Sequence, residues 1–149
     1  RSPLRFNKNR SSVLFLQFYD SGISQRPSAV APVLDESSVL TKAVTRAAGL
    51  LGLTQRQLAE TLGLSTPTAS RLFTGKYRLS PTRAKEWELA ILFVRLFRSL
   101  DALWGHEGTA RAWLEGYNTA LGAAPRELIS SAAGLVRVVD YLDHARGRV

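Results

Sequence analysis

Cysteine is absent from this 149-residue chain, and histidine occurs only twice, at His106 and His144. Without cysteine the chain has neither a disulfide framework nor a thiolate zinc site. The two histidines lack the HExxH spacing of a catalytic zinc site, and an exposed surface position is the default expectation for both. The absence of cysteine fits a bacterial-type cytosolic protein. We therefore expect a cytoplasmic protein without a metal or another cofactor.

The chain also lacks the patterns of a membrane protein or an enzyme. The apolar run at residues 13–19 is too short to cross a bilayer, and no small-residue cleavage site follows it. No serine, histidine and acid stand at the spacing of a known catalytic motif, and no glycine loop could cradle a phosphate. Without a paired nucleophile and base, we expect no catalytic residues and no enzymatic activity.

Length and charge suggest a small protein with a local basic surface. The chain can form one ordinary domain or two very small helical domains that share a core. Its formal net charge is +8, and the excess lies in two windows. Residues 1–26 contain five basic residues and one acidic residue, and residues 51–80 contain four and one. A basic window indicates nucleic-acid binding better than a basic average does.

Residues 1–32 differ from the rest and are predicted to be a leader and linker. The chain begins with Arg1 rather than methionine, which suggests trimming or a cloning origin. The alternatives for this part are an extra strand, a poorly ordered segment, or a leader that is not native. Residues 26–32, with sequence RPSAVAP, form the expected linker.

The remaining sequence predicts an all-α fold. Helical periodicity and capping residues predict an N-terminal domain over residues 33–82 and a second, C-terminal helical domain over residues 83–149. Thr54 and Gln57 fit a capping box, and Gly63 permits a left-handed turn. The predicted helices cover residues 39–51, 55–62, 66–73, 83–104, 109–114, 126–131 and 135–145.

The segment from Gln55 to Phe73 has the pattern of a helix-turn-helix. Ala59 is the small residue where two helices meet, and Gly63 supplies the turn four residues later. Short hydrogen-bonding side chains and one arginine then point outward, as reading of base edges requires. The residues expected to read bases are Thr66, Thr68, Ser70 and Arg71, and those expected to contact phosphates are Gln55, Lys76 and Arg78. The alternative is a packing element whose basic residues are only solvated.

A second pattern follows in the last third of the chain. Trp113 and the leucines around it are expected in a core, and Asn118 is expected to order a loop. The carboxylates Glu115, Glu127, Asp140 and Asp143 are expected to be solvated.

These patterns, in this order, resemble the Xre/MbcA/ParS antitoxins. The resemblance covers roughly residues 38–149 and rests first on LTQRQLAETLGLSTPTASRLFTGKYRL at residues 53–79, followed by ELAILFVRLFRSLDALWG at residues 88–105. Its more specific half is W-L-x-x-x-N-x-x-L-G-x-x-P-x-E-L at residues 113–128, then G-L-x-x-V-x-x-Y-L at residues 134–142.

The resemblance implies a partner, a toxin with a RES domain that is related to ADP-ribosyltransferases and consumes NAD or transfers from it. It also implies that the helix-turn-helix represses its own operon and that the C-terminal domain covers the toxin's active-site cleft. By position, the implied toxin-binding signature is Trp113, Leu114, Asn118, Leu121, Gly122, Pro125, Glu127 and Leu128.

Two further expectations follow from this resemblance. A homodimer would hold two recognition helices in register with operator half-sites, and the apolar helix Leu89–Trp104 is the candidate self-contact. Its alternative is an internal core helix. The cationic C-terminal residues Arg146 and Arg148 are expected to enter the toxin's dinucleotide-binding cleft, where anions bind. The rival functions are a stand-alone transcriptional regulator and an adaptor that no longer reads DNA.

Overall fold

The first helix begins where its capping residue allows it. In a computed structural model, which describes residues 34–105 and 107–148, α1 spans Glu36–Leu50. Asp35 is the N-cap and accepts a hydrogen bond from the backbone N–H of Ser37 at 3.2 Å. The helix therefore starts three residues before the predicted position, at the cap that the sequence had indicated. The predicted leader at 1–32, including the apolar run at 13–19, lies outside the described residues, as does His106.

The next two helices form the predicted helix-turn-helix. Helix α2 spans Gln55–Leu62, and its capping box between Thr54 and Gln57 is confirmed. Gly63 ends it with φ +68°, a left-handed conformation that favours glycine. Helix α3 spans Thr66–Phe73 and is capped by Ser65, with Pro67 in its first turn.

Four more helices complete the described chain, so the predicted all-α class is confirmed. They are α4 at Ala84–Trp104, α5 at Glu107–Glu115, α6 at Pro125–Leu128 and α7 at Ala132–Gly147. The prediction of helices at 126–131 and 135–145 was wrong at the turn between them, because α6 ends three residues earlier and α7 begins three residues earlier than predicted. Ser131 is extended and caps α7 by accepting from the N–H of Gly134 at 3.1 Å, so α6 must end before it.

Helix α4 is the centre of the core. It packs against α1, α2, α5 and α7, and its buried face includes Phe93, Leu96 and Leu100. This packing is that of an internal core helix, the alternative that its apolar pattern had left open. Ile91 is 47% exposed and is the large apolar side chain that α4 leaves facing solvent. Residues 34–149 form one compact unit around this helix.

Two arginines from the C-terminal half donate hydrogen bonds to the carbonyls at the C-terminal end of α1. The last turn of α1 contains no basic residue of its own. Arg111 donates to the carbonyls of Leu50 and Gly49 at 2.6 and 2.9 Å. Arg126 donates to the carbonyl of Leu51 at 3.0 Å. Cationic donors at a helix C-terminus satisfy carbonyls that have no intrahelical partner and favour the helix dipole.

Candidate functional site

Helix α3 shows the two-sided arrangement that a recognition helix requires. Ala69 and Leu72 are fully buried and hold the helix against the core. Thr66 and Arg71 are exposed on its other side, and Ser70 is partly exposed there. The apolar face of α3 is buried and the opposite, polar face is exposed to solvent, as docking in a major groove requires.

The predicted base-reading residues differ in whether their side chains already have hydrogen-bond partners within the chain. Thr68 is half-buried, and its hydroxyl lies 2.8 Å from that of Ser65, within the N-cap of α3. Its backbone N–H also donates to Ser65 Oγ at 3.2 Å, so Thr68 takes part in the cap. The Arg71 guanidinium, in contrast, has no partner among the residues that the structure describes. Arg71 is therefore the most available side chain for a bidentate contact on this helix.

The predicted phosphate-contacting residues lie at the ends of the two helices. Gln55 is exposed at the first position of α2, and Lys76 is exposed in the loop after α3. Nothing in the described part of the chain pairs with the Lys76 ammonium group. Arg78 is exposed as well, but its Nη1 pairs with Asp35 Oδ2 at 2.7 Å. This pair joins the loop to the N-cap of α1.

A polar cluster behind that loop was missed by the sequence analysis. The Tyr77 hydroxyl donates to the Glu86 carboxylate, with both oxygens at 2.9 Å, and Glu86 is buried. Arg83 pairs with Glu86, and its guanidinium carbon lies 4.8 Å from the centre of the Tyr77 ring. Burial first, and then Glu86, raise the pKa of Tyr77 above its ordinary value of 10.0. Only the i,i+3 spacing of Arg83 and Glu86 was visible in the sequence.

An aromatic stack forms the middle of the C-terminal half. The Trp113 ring lies 5.3 Å from Trp104 and 6.1 Å from Tyr141, measured between ring centres. All three side chains are only partly buried, so the stack reaches the surface. The expectation that Trp113 lies in a core is therefore confirmed only in part. Partly exposed aromatic side chains of this kind commonly anchor protein interfaces.

Several predicted toxin-binding residues shape a loop between α5 and α6. Asn118 Oδ1 accepts from the N–H of Leu121 at 3.1 Å, and the Asn118 N–H donates to the carbonyl of Ala123 at 3.1 Å. Gly122 has φ +71°, while Leu121 and Pro125 are buried. The loop-ordering role expected for Asn118 is confirmed. Of the side chains in this signature, Glu127 is the one that is exposed and carries a charge.

The C-terminal residues are helical. Helix α7 continues to Gly147, so Arg146 lies in its last turn and Arg148 is its exposed C-cap. Arg146 Nη1 donates to Ser99 Oγ at 3.3 Å. Asp143 is partly buried beside it, where it pairs with Arg95 and accepts from Ser99 Oγ at 3.2 Å. The expectation that Asp143 is merely solvated was wrong, because α4 and α7 pack closely at this point.

The described residues contain two surfaces that are suited to binding. No group of three potential metal ligands occurs within residues 34–105 and 107–148. His144 is exposed, with Nδ1 2.7 Å from the carbonyl oxygen of Asp140. None of the helices in this part is long and apolar enough to cross a membrane. The arrangement is therefore suited to binding: a helix-turn-helix at one end of the sequence and an aromatic surface at the other.

Two known protein families match the two parts of the chain that carry these surfaces. Residues 33–95 match the antitoxin Xre-like helix-turn-helix domain, and residues 99–148 match the antitoxin Xre/MbcA/ParS C-terminal toxin-binding domain. The first region contains all of the predicted DNA-contacting residues, and the second contains all of the predicted toxin-binding residues. A search of curated proteins found no significant match.

Proposed function

The chain belongs to the Xre/MbcA/ParS-type antitoxins, and from this premise we propose that it blocks the active site of a RES-domain toxin that consumes NAD. In this proposal the antitoxin also represses its own operon and is not itself an enzyme. One observation carries the proposal: a toxin-binding domain occurs in the same chain as a helix-turn-helix whose Arg71 has no partner among the described residues. The antitoxin works in the cytoplasm, where both the operator and the NAD pool are found.

On the toxin side, the predicted residues that are exposed to solvent are the ones that contact the toxin. Asn118, Leu121, Gly122 and Pro125 shape the α5–α6 loop, and Trp113, Glu127 and Arg148 reach solvent. Tryptophan and arginine are enriched among energetically dominant interface residues, which favours Trp113 and Arg148 as toxin contacts. The dinucleotide-binding cleft of such a toxin attracts cations, and the exposed Arg148 is the better supported of the two C-terminal arginines. Arg146 would first have to leave Ser99.

On the DNA side, the proposal is a homodimer that places α3 in successive major grooves. The half-sites of such a dimer are about 34–36 Å apart. Arg71 reads a base edge, while Gln55, Lys76 and Arg78 contact phosphates. Because the apolar face of α4 packs within its own chain, its contribution to the dimer is limited to the exposed side around Ile91.

Co-expression with a RES-domain toxin from the same genome tests the toxin half. We expect a stable complex by size-exclusion chromatography and no loss of NAD. Truncation after Ala145 and the Arg148→Ala variant should both weaken inhibition while the melting temperature stays close to that of the intact chain. Arg137→Ala is the matched control, because Arg137 is an exposed arginine on the same helix. Unchanged inhibition in both variants would refute the role of the C-terminal arginines.

DNA binding is tested separately on the promoter of the operon that encodes the chain. Arg71→Ala should cost about 1–3 kcal/mol and relax the preference at one base pair. A uniform loss over all sequences would instead assign Arg71 to a phosphate contact.

The alternative is a stand-alone regulator that binds a small ligand. An open groove of about 390 Å³ favours it, lying between residues of the helix-turn-helix and α6. The groove is lined in part by Gln57, Thr61, Arg126, Ile129 and Ser130. If co-expression gives no complex and NAD is still consumed, the regulator becomes the better interpretation.

A further inference from the structure

The loop between α3 and α4 connects the exposed end of the recognition helix to the core. The backbone N–H groups of Lys76 and Tyr77 both donate to the carbonyl of Arg71, at 2.8 and 3.1 Å. The chain is therefore folded back onto the end of α3 at the residue most available to read a base. Lys76 and Arg78, on either side of Tyr77, are exposed cations on this loop.

Tyr77 contacts the first turn of α4. Its hydroxyl donates to Glu86, which is the one buried charged side chain among the described residues. Arg83 neutralises that carboxylate and also donates to the backbone carbonyl of Arg78. The loop backbone is thus held at both of its cationic positions, by the Arg71 carbonyl on one side and by Arg83 on the other.

Burial of the Glu86 carboxylate costs free energy, and a gain in fold stability does not by itself account for it. A buried carboxylate loses its hydration, and the net contribution of such a charged cluster to stability is often near zero. A loop of this length could be closed by apolar residues instead. The hydrogen bonds among Tyr77, Glu86 and Arg83 do fix the geometry of the loop, since they form only when the three side chains are in these positions.

We propose that Tyr77, Glu86 and Arg83 are positioning residues for DNA-backbone binding, which hold Lys76 and Arg78 beside Arg71 at the end of α3. The inference rests on the proposed DNA-binding function and extends it to residues that do not touch DNA. The ligand groups are the phosphates of duplex DNA on either side of the groove that α3 enters. Cations on a loop backbone of fixed geometry bind phosphates better than the same cations on a free loop, because less backbone conformational entropy is lost on binding.

The test measures binding of the full-length chain to a mixed-sequence DNA duplex and to its own promoter over a range of salt concentrations. Each phosphate contact contributes about 0.9 to the slope of log affinity against log salt concentration. Tyr77→Phe removes the hydroxyl and keeps the ring. It should reduce affinity about tenfold at physiological salt and reduce the slope by about 1–2. The affinity ratio between promoter and mixed-sequence DNA should not change, since phosphates carry no sequence information.

Two further variants separate positioning from general stability. The Lys76→Ala/Arg78→Ala double variant should show the same loss of slope, and adding Tyr77→Phe to it should have no further effect. Tyr117→Phe is the matched control, because Tyr117 is exposed and lies in the toxin-binding region. It should bind DNA as the unmodified chain does.

The outcomes are distinct. Loss of slope in Tyr77→Phe, absent when Lys76 and Arg78 are already removed, supports the inference. Affinity equal to that of the unmodified chain, or a loss of affinity with an unchanged slope, overturns it and leaves the cluster as a structural element. If the unmodified chain itself shows no salt-dependent binding, the proposed DNA-binding function fails, and the inference fails with it.

Discussion

At the scale of single residues, Tyr77 provides a pH-dependent test of the loop. Its raised pKa means that the folded chain holds the phenol proton more tightly than the unfolded chain. The stabilisation is fully present below the unfolded value near pH 10.0 and is lost as pH rises through the raised value. The melting temperatures of the unmodified chain and of Tyr77→Phe should therefore differ at neutral pH and converge above about pH 10. A difference that stays constant across this range would contradict the assignment.

Asp35 provides a second test, because it pairs with Arg78, which the proposal assigns to a DNA phosphate. The pair with Arg78 is exposed, with the two side chains 51% and 63% accessible, and Asn is as good an N-cap as Asp. Asp35→Asn should leave the free energy of unfolding within about 0.5 kcal/mol. It should also raise the affinity for mixed-sequence DNA, because Arg78 no longer has to leave Asp35 before it contacts a phosphate, while the salt slope stays the same since the number of phosphate contacts does not change.

Asp101→Asn makes the same change in net charge at an exposed position on α4, in the toxin-binding region. If it raises DNA affinity as much as Asp35→Asn does, the effect comes from net charge alone and Arg78 is not being released.

These residues also show where sequence-based prediction ends. The caps at Asp35, Thr54 and Ser65 were predictable because each acts within three residues of its own helix. Tyr77 and Glu86 are nine residues apart across a loop, with no periodic pattern to connect them. Asp35 and Arg78 are 43 residues apart and meet only after α1 has packed.

At the scale of helices, the contact between α6 and α7 depends on a glycine. A Cβ atom built on Gly134 would lie 1.9 Å from the backbone carbonyl oxygen of Leu128. Because a carbonyl cannot rotate away as a side chain can, Gly134→Ala should destabilise the fold by about 3 kcal/mol or more. Urea denaturation measures this free energy. Gly147→Ala, at the open end of the same helix, should change it by less than about 1 kcal/mol.

If Gly134→Ala is tolerated as well as Gly147→Ala, the turn between α6 and α7 adjusts its backbone and the close approach is not required. The sequence contained Gly134 within the motif that carries the resemblance, but the reason for glycine there is tertiary. The same holds for the end of α6. Ser131 stops the helix by capping the next one, and the apolar pattern through Ile129 gave no indication of that boundary.

At the scale of the whole molecule, the end of α1 is one of the places where the two matched regions meet. Arg111 and Arg126 belong to the toxin-binding region and donate to backbone carbonyls of the helix-turn-helix region. The predicted division of the chain before residue 83 did not anticipate such contacts, because surface arginines carry no pattern that identifies distant carbonyls. The division itself stays a prediction, since α4 packs on helices from both sides of it.

Arg126 is the stronger of these two contacts and carries the last prediction. Its side chain is only 13% exposed, and it donates to the carbonyls of Leu51 and Gly52 and to Gln57 Oε1 at 3.0, 3.2 and 3.3 Å. Gln57 in turn closes the capping box of α2. Arg126→Ala removes the donor to the carbonyls of Gly52 and of the buried Leu51 and should cost about 2–4 kcal/mol in the free energy of unfolding.

The exposed Arg137→Ala on α7 removes the same charge without such contacts and should cost less than about 0.5 kcal/mol. Thermal and urea unfolding of both variants, followed by circular dichroism, compare them directly. An equal, small effect would mean that the packing of α4 and the remaining contacts join the two regions without Arg126. A large loss for Arg126→Ala only would mean that the antitoxin depends on this arginine to keep its DNA-binding and toxin-binding regions in one cooperative fold.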